Sequence, residues 1–286
     1  MEMLKLIECP RDAMQGLHDF IPTEMKANYI NQLLKVGFDT IDFGSFVSPK
    51  AIPQMRDTAE VLSKLELDTT ISKLLSIVVN KRGAEDAAQF EEITYFGFPF
   101  SISQTFQIRN TNSTIEESFD RVKDIQDICV SNGKQLVVYL SMAFGNPYGD
   151  PWDTEIAAHW GARLHNELGV NILALGDTIG VSNRDNITKM FTDLMRELPN
   201  VEIGAHLHST PTSVHEKVSA AYEAGCRRFD GAIKGFGGCP MAKDDLTGNM
   251  PTEGMMAYFN ENKIGTNIDQ NEFSIAMEMA AEVFPK

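Results

Sequence analysis

Short apolar runs alternate with longer amphipathic ones from one end of this chain to the other, and that alternation constrains the fold more than any single motif. The strand-like runs fall at 4–9, 40–43, 74–80, 93–98, 135–142, 171–175, 202–208 and 228–233. Helix-like stretches follow at 23–36, 52–65, 82–90, 115–132, 154–168, 186–198, 212–224 and 252–262, and a further one at 271–283 closes the chain. Gly133, Gly169 and Gly225 stand where helices should stop, and Ser113 with Glu116 three residues on reads as a capping box. Eight strand–helix units predict an α/β fold: a (β/α)8 TIM barrel, one domain over 1–286 with an extra C-terminal helix. A doubly wound sheet is the alternative. It fits less well, because the glycine-rich run 235–238 lies far from the first strand, where a dinucleotide loop belongs.

The formal charge of −15, with no run of Lys or Arg, argues against nucleic acid and against an anionic membrane surface as partners. An anionic small molecule would need a local basic mouth. The four cysteines include no Cys-x-x-Cys spacing, which suits a reduced protein better than a disulfide framework. The first strand-like run follows the first Met so closely that no signal segment fits before it, and a cytoplasmic protein is expected.

The seventh strand-like run ends in His206-Leu207-His208. Residues i and i+2 of a strand face one side, so both imidazoles are expected at one point, as a divalent metal requires. Alone, the motif reads equally well as one core histidine and one solvated histidine. Barrel enzymes place their chemistry at the C-terminal ends of the strands. Those ends carry Glu8, Arg11, Asp12 and Gln15 after the first strand and Asp42 and Ser45 after the second. Asp177 and Thr178 follow the sixth, and Cys239 and Asn249 follow the eighth. The opposite ends carry ordinary turn residues.

Two histidines need an oxygen ligand to hold a hard ion such as Mg2+ or Mn2+. Asp12 is the best placed, against a plain role as a helix cap or solvated carboxylate. Asn249 offers an amide oxygen, although Gly-Asn alone is more often a turn. Arg11 is expected to point away from Asp12 on an extended chain, either to stabilise an oxyanion or to pair with Glu8 or Asp177. Cys239, in a glycine-rich loop, suits a proton donor on a moving segment. Cys9, Cys129 and Cys226 look structural.

Taken in order, Pro10 to Gln15, Ser45 to Lys50 with Pro53 to Met55, Gly176 to Gly180, and Gly237 to Pro240 resemble the 3-hydroxy-3-methylglutaryl-CoA lyase family. These are metal-dependent barrels related to isopropylmalate and homocitrate synthases, and the resemblance runs from about Leu4 to Asp269. It implies that Asp12, His206, His208 and Asn249 hold a divalent metal, Mg2+ or Mn2+. It further implies that Arg11 stabilises the enolate, that Cys239 is the acid that protonates it, and that His206 or Asp12 relays the hydroxyl proton. Asp42 stands where the family usually has a glutamate. Glu8 and Asp177 would belong to a supporting polar shell, and Gln15, Ser45 and Thr178 to the substrate surroundings. The implied reaction is cleavage of 3-hydroxy-3-methylglutaryl-CoA, or a close 3-hydroxyacyl-CoA, to acetoacetate and acetyl-CoA, by a homodimer.

Departures from the family pattern bear on substrate and metal strength. Ala13 and Met14 replace Gly-Leu, Gln104 replaces a glutamate after the fourth strand, and Ser209 replaces the aspartate after the second histidine. An acyl-CoA/2-oxo acid condensing enzyme of the same superfamily is an alternative, as is a barrel that binds acyl-CoA without turnover. The condensing reading fits less well, since the chain stops soon after the eighth unit.

Overall fold

The computed structural model describes residues 3–238 and 247–284. Eight parallel strands close a barrel. They are β1 (Lys5–Glu8), β2 (Thr40–Ser45), β3 (Lys73–Ile77), β4 (Ile93–Ser101), β5 (Gln135–Ser141), β6 (Ile172–Gly176), β7 (Glu202–His206) and β9 (Arg228–Gly231). Closure is made where β9 pairs with β1, Ile7 opposite Asp230, and with β7, Gly204 opposite Arg228. The two short remaining strands, β8 (His208–Ser209) and β10 (Gly248–Asn249), form an antiparallel ribbon outside the barrel. This is the (β/α)8 architecture that the alternation predicts.

Each barrel strand is buried on both faces, which explains its nearly continuous apolar run. One face packs on the surrounding helices in a single large core. The other fills the barrel with Leu75, Ile77, Tyr95, Val137, Tyr139, Ile172 and Ala174. Gly204 is dictated by packing: a Cβ there would lie 2.8 Å from Cδ of Arg228, whose long side chain lies inside the barrel.

Helices Thr23–Val36 and Thr154–Leu168 have the expected bounds. Three local expectations are corrected. The helix expected at 52–65 is a 3-10 turn, Pro53–Met55, and a short helix, Thr58–Leu62. Thr58 breaks it by donating its hydroxyl to Met55 O and accepting Ser45 N–H. The capping box is formed by Thr114 and Glu117, one residue later than expected. The strand expected at 202–208 divides at Leu207, because Asp177 N–H takes His206 O and Met250 N–H takes Leu207 O. The chain thereby leaves the barrel wall and enters the ribbon. Two helices unforeseen in the sequence, Pro10–Gln15 and Gln104–Thr111, lie at the C-terminal ends of β1 and β4. Among the described residues, no helix is long and apolar enough to cross a membrane.

Candidate active site

The helix Pro10–Gln15 sets the first half of the site. Proline at its first position lacks the N–H that would be unpaired there, so the turn forms at once after β1. Helical geometry rotates successive side chains by about 100° rather than the 180° of a strand. Arg11 therefore does not point away from Asp12, and it pairs with neither Glu8 nor Asp177. Its Nη1 donates to Asp12 Oδ1 at 3.1 Å and to Gln15 Oε1 at 2.8 Å. Its Nε and Nη2 grip the Asp42 carboxylate at 3.0 and 2.5 Å. Gln15 Nε2 closes the network on Asp12 Oδ1 at 3.0 Å.

Burial pushes Asp42 up to about 6, and the Arg11 charge and hydrogen bonds hold it from rising further. Burial also works against ionised Asp12, but Arg11, the two imidazoles and Asn249 outweigh it and hold the carboxyl below its ordinary range. Asp12 is thus a ready anionic ligand.

The second half comes from β7 and the ribbon. One donor atom each from Asp12, His206 and His208 lies within 4.8 Å of the other two. The two imidazoles stand 5.7 Å apart, centre to centre. His206 Nδ1 lies 3.2 Å from Asp230 Oδ2, which fixes that nitrogen as the proton-bearing one. Burial works against an imidazolium here, but the Asp230 hydrogen bond and charge raise His206 above its ordinary value. His208 is different. It is 4% exposed, its Nδ1 has no hydrogen-bond partner, and burial beside His206 pushes it down to about 4. It is a neutral imidazole, the form that coordinates metal.

Asn249 reaches the group because β10 places it opposite His208. Its Nδ2 donates to Asp12 Oδ2 at 2.8 Å and to Phe236 O at 2.9 Å, so its amide oxygen is the group left to offer a cation. Gly237 keeps this approach open: at φ +84° it has a conformation L side chains avoid, and a Cβ would lie 2.8 Å from Asn249 Nδ2. The donors therefore fit a hard divalent ion. Cys9, His206 and Asp230 form a second close group, but burial pushes the Cys9 thiol up and Nδ1 of His206 is already bonded. It is the poorer set.

Other sequence candidates lie further out. Glu8 accepts Ile233 N–H at 2.8 Å and the Thr252 hydroxyl at 2.6 Å, bracing the exit from β9. Asp177 accepts both Ser182 N–H and its hydroxyl, and binds Lys217 Nζ at 2.7 Å. Ser45 accepts Val47 N–H within its own loop, and Thr178 accepts Met142 N–H, tying the loop after β6 to the loop after β5. Gln104 is exposed and caps the next helix through Ile115 N–H. Ser209 is buried beside His208 with its hydroxyl unpartnered. Cys239 lies outside the described residues.

Two residues that support the site escaped the sequence reading. Asp230 is a carboxylate inside a barrel strand, two residues from the buried Arg228. Lys217 lies on the stripe formed by Val214, Val218 and Ala221, the buried face of helix Val214–Glu223. A charge at a core position was the signal in both cases.

The profile of the HMGL-like family matches residues 5–279. A Bacillus subtilis protein, hydroxymethylglutaryl-CoA lyase YngG, is 31% identical over 279 residues, 97% of this chain and 91% of its own. The solved HMG-CoA lyase of Brucella melitensis superposes with a TM-score of 0.92 at 28% identity, over 99% of both chains. An HMG-CoA lyase of Acinetobacter baumannii, solved with coenzyme A and 3-methylmalate, gives 0.89 at 30% identity, over 98% of this chain and 91% of that one.

Proposed function

The chain belongs to the HMGL-like family, and we propose that it is a divalent-metal-dependent carbon–carbon lyase acting on 3-hydroxy-3-methylglutaryl-CoA or a close 3-hydroxyacyl-CoA. One observation carries the reading: a carboxylate and two imidazoles converge within 4.8 Å, one of them neutral with a buried, unpartnered nitrogen. Asp12, His206, His208 and the amide oxygen of Asn249 would hold the ion, and their mixture of oxygen and nitrogen suits Mg2+ or Mn2+. When bound, such an ion lowers the pKa of a substrate hydroxyl and stabilises negative charge on oxygen.

The chain's own groups supply the rest. The hydroxyl proton goes to Asp42, at about 6, because His206, with Nδ1 protonated against Asp230 and its other nitrogen assigned to the ion, has no nitrogen free to take it. Asp12, held low, is the weaker base. The O–H electron pair becomes the new ketone, the C2–C3 bond breaks, and its electrons pass to the thioester as an enolate. Arg11, 7% exposed and fixed by Asp42 and Gln15, is preorganised to stabilise that oxyanion without moving. Cys239 returns one proton to C2. Acetoacetate and acetyl-CoA leave, with one proton taken and one given.

Incubation with 3-hydroxy-3-methylglutaryl-CoA and Mg2+ tests this. Equimolar acetoacetate and acetyl-CoA are expected. No cleavage, with thioester consumed only when a 2-oxo acid is present, would establish a condensing enzyme instead. The family resemblance also implies a homodimer, which light scattering of the purified protein checks, and the cysteine spacing suits a reducing compartment such as the cytoplasm.

A further inference from the structure

The two histidines are held by different means. His206 is fixed through its ring, by Asp230. The His208 ring has no such partner on Nδ1, and the neighbouring Ser209 hydroxyl bonds nothing. What holds His208 is its backbone: His208 O accepts a hydrogen bond from Lys217 Nζ at 2.7 Å.

Lys217 is 3% exposed, and its ammonium donates to Asp177 Oδ2 at 2.7 Å, to His208 O and to Gly180 O at 3.1 Å. An ammonium has three donors, so all three are used. They tie helix Val214–Glu223 to the loop after β6 and to the ribbon. Burying this charge is costly even with Asp177 to offset it, and an apolar residue of similar size is the cheaper way to fill such a position. The excess cost makes sense as rigidity at His208, where the ring itself has no tether.

We propose that Lys217 is a positioning residue for the metal centre, setting the place of the His208 imidazole through its main chain. The Asp177–Lys217 pair does for His208 what Asp230 does for His206. It takes over the support that an acidic residue after the second histidine would give and that Ser209 does not. The inference rests on the metal assignment above and extends it to a residue outside the ligand set.

The test separates positioning from stability. Lys217→Met removes the tether but strands the Asp177 charge, so both thermal stability and Mn2+ affinity should fall. Adding Asp177→Asn removes the stranded charge. In the double variant the melting temperature should recover towards wild type, while Mn2+ binding by titration calorimetry stays about 10–100-fold weaker, the usual cost of losing an outer partner of a metal ligand. Wild-type Mn2+ affinity in the double variant would overturn the proposal. If neither Met variant folds, Lys217→Gln serves, since its amide keeps two donors: weakened Mn2+ binding supports the proposal and an unchanged constant overturns it. No Mn2+ binding by the wild type would instead refute the metal assignment itself.

Discussion

At the floor of the barrel, where the strands begin, Lys5 pairs with Glu202, and Glu202 also receives Arg228 Nη1 at 3.4 Å. Arg228 Nε stands 3.9 Å from Asp230 Oδ1, while the other oxygen of that carboxylate meets His206 Nδ1, so Asp230 links the floor to the mouth. At the mouth, Arg11 alone faces Asp12 and Asp42, and the neutral His208 adds no charge. Each ion of the floor has an oppositely charged partner in the chain, whereas at the mouth Arg11 alone answers the two carboxylates of Asp12 and Asp42. The same barrel thus places a structural ion cluster at one end and, at the other, a site whose charge as well as its donor atoms favours a cation. Glu8, at the mouth end of β1, stays out of that count because burial pushes it up to about 8 and keeps it protonated near neutral pH.

The comparison can be broken at either end. The largest effect is expected from His208→Ala, which removes a neutral donor from the mouth. Divalent-ion affinity should fall by more than about 100-fold, beyond the loss typical of an outer partner, and turnover with it. Titration calorimetry would show this, and wild-type affinity would remove His208 from the ligand set.

The next effect is a pH slope. Folded Glu8 keeps a proton that the unfolded chain gives up near its ordinary value of 4.5. Its contribution to stability is complete below that value and is lost as pH rises through about 8. The change is on the order of a few kcal/mol across the window. Glu8→Gln keeps an acceptor for Ile233 N–H and a partner for the Thr252 hydroxyl, so denaturant unfolding at several pH values should show a flatter profile. An unchanged slope would mean that Glu8 is ionised in the fold and that the mouth carries a further negative charge.

The smallest effect belongs to the floor. Glu202→Gln leaves Lys5 and Arg228 facing each other without their shared anion. The loss should be about 1–3 kcal/mol, at the lower end because Glu202 is 29% exposed. Mn2+ affinity should not change. A fall in affinity as large as that in stability would mean that the two ends are coupled and not separate in role.

How far the sequence showed this in advance depends on the range of the interaction. The barrel was legible because strand period, helix period and turn residues are local and repeat eight times. Asp12, His206 and His208 were legible once strand ends were compared. The orientation of Arg11 was not, because it depends on a helix of six residues, Pro10–Gln15, too short to leave a periodic pattern. Asn249 reaches the site only through a ribbon that pairs it with His208, and no local feature announces that pairing. Gln104, read as a change near the site, is exposed and caps a helix, so its sequence position was informative and its chemistry was not. Lys217 and Asp230 were visible as charges at core positions, but their partners lie on other strands and loops.

The central claim is that Asp12, His206 and His208 form one divalent-ion centre at the mouth. Anomalous scattering from crystals grown with Mn2+ tests it most directly. A single peak at each chain's barrel mouth, bonded to one oxygen of Asp12 and one nitrogen from each of His206 and His208, is the result predicted. Ordered crystals with no peak there, or with the ion held elsewhere, would contradict it.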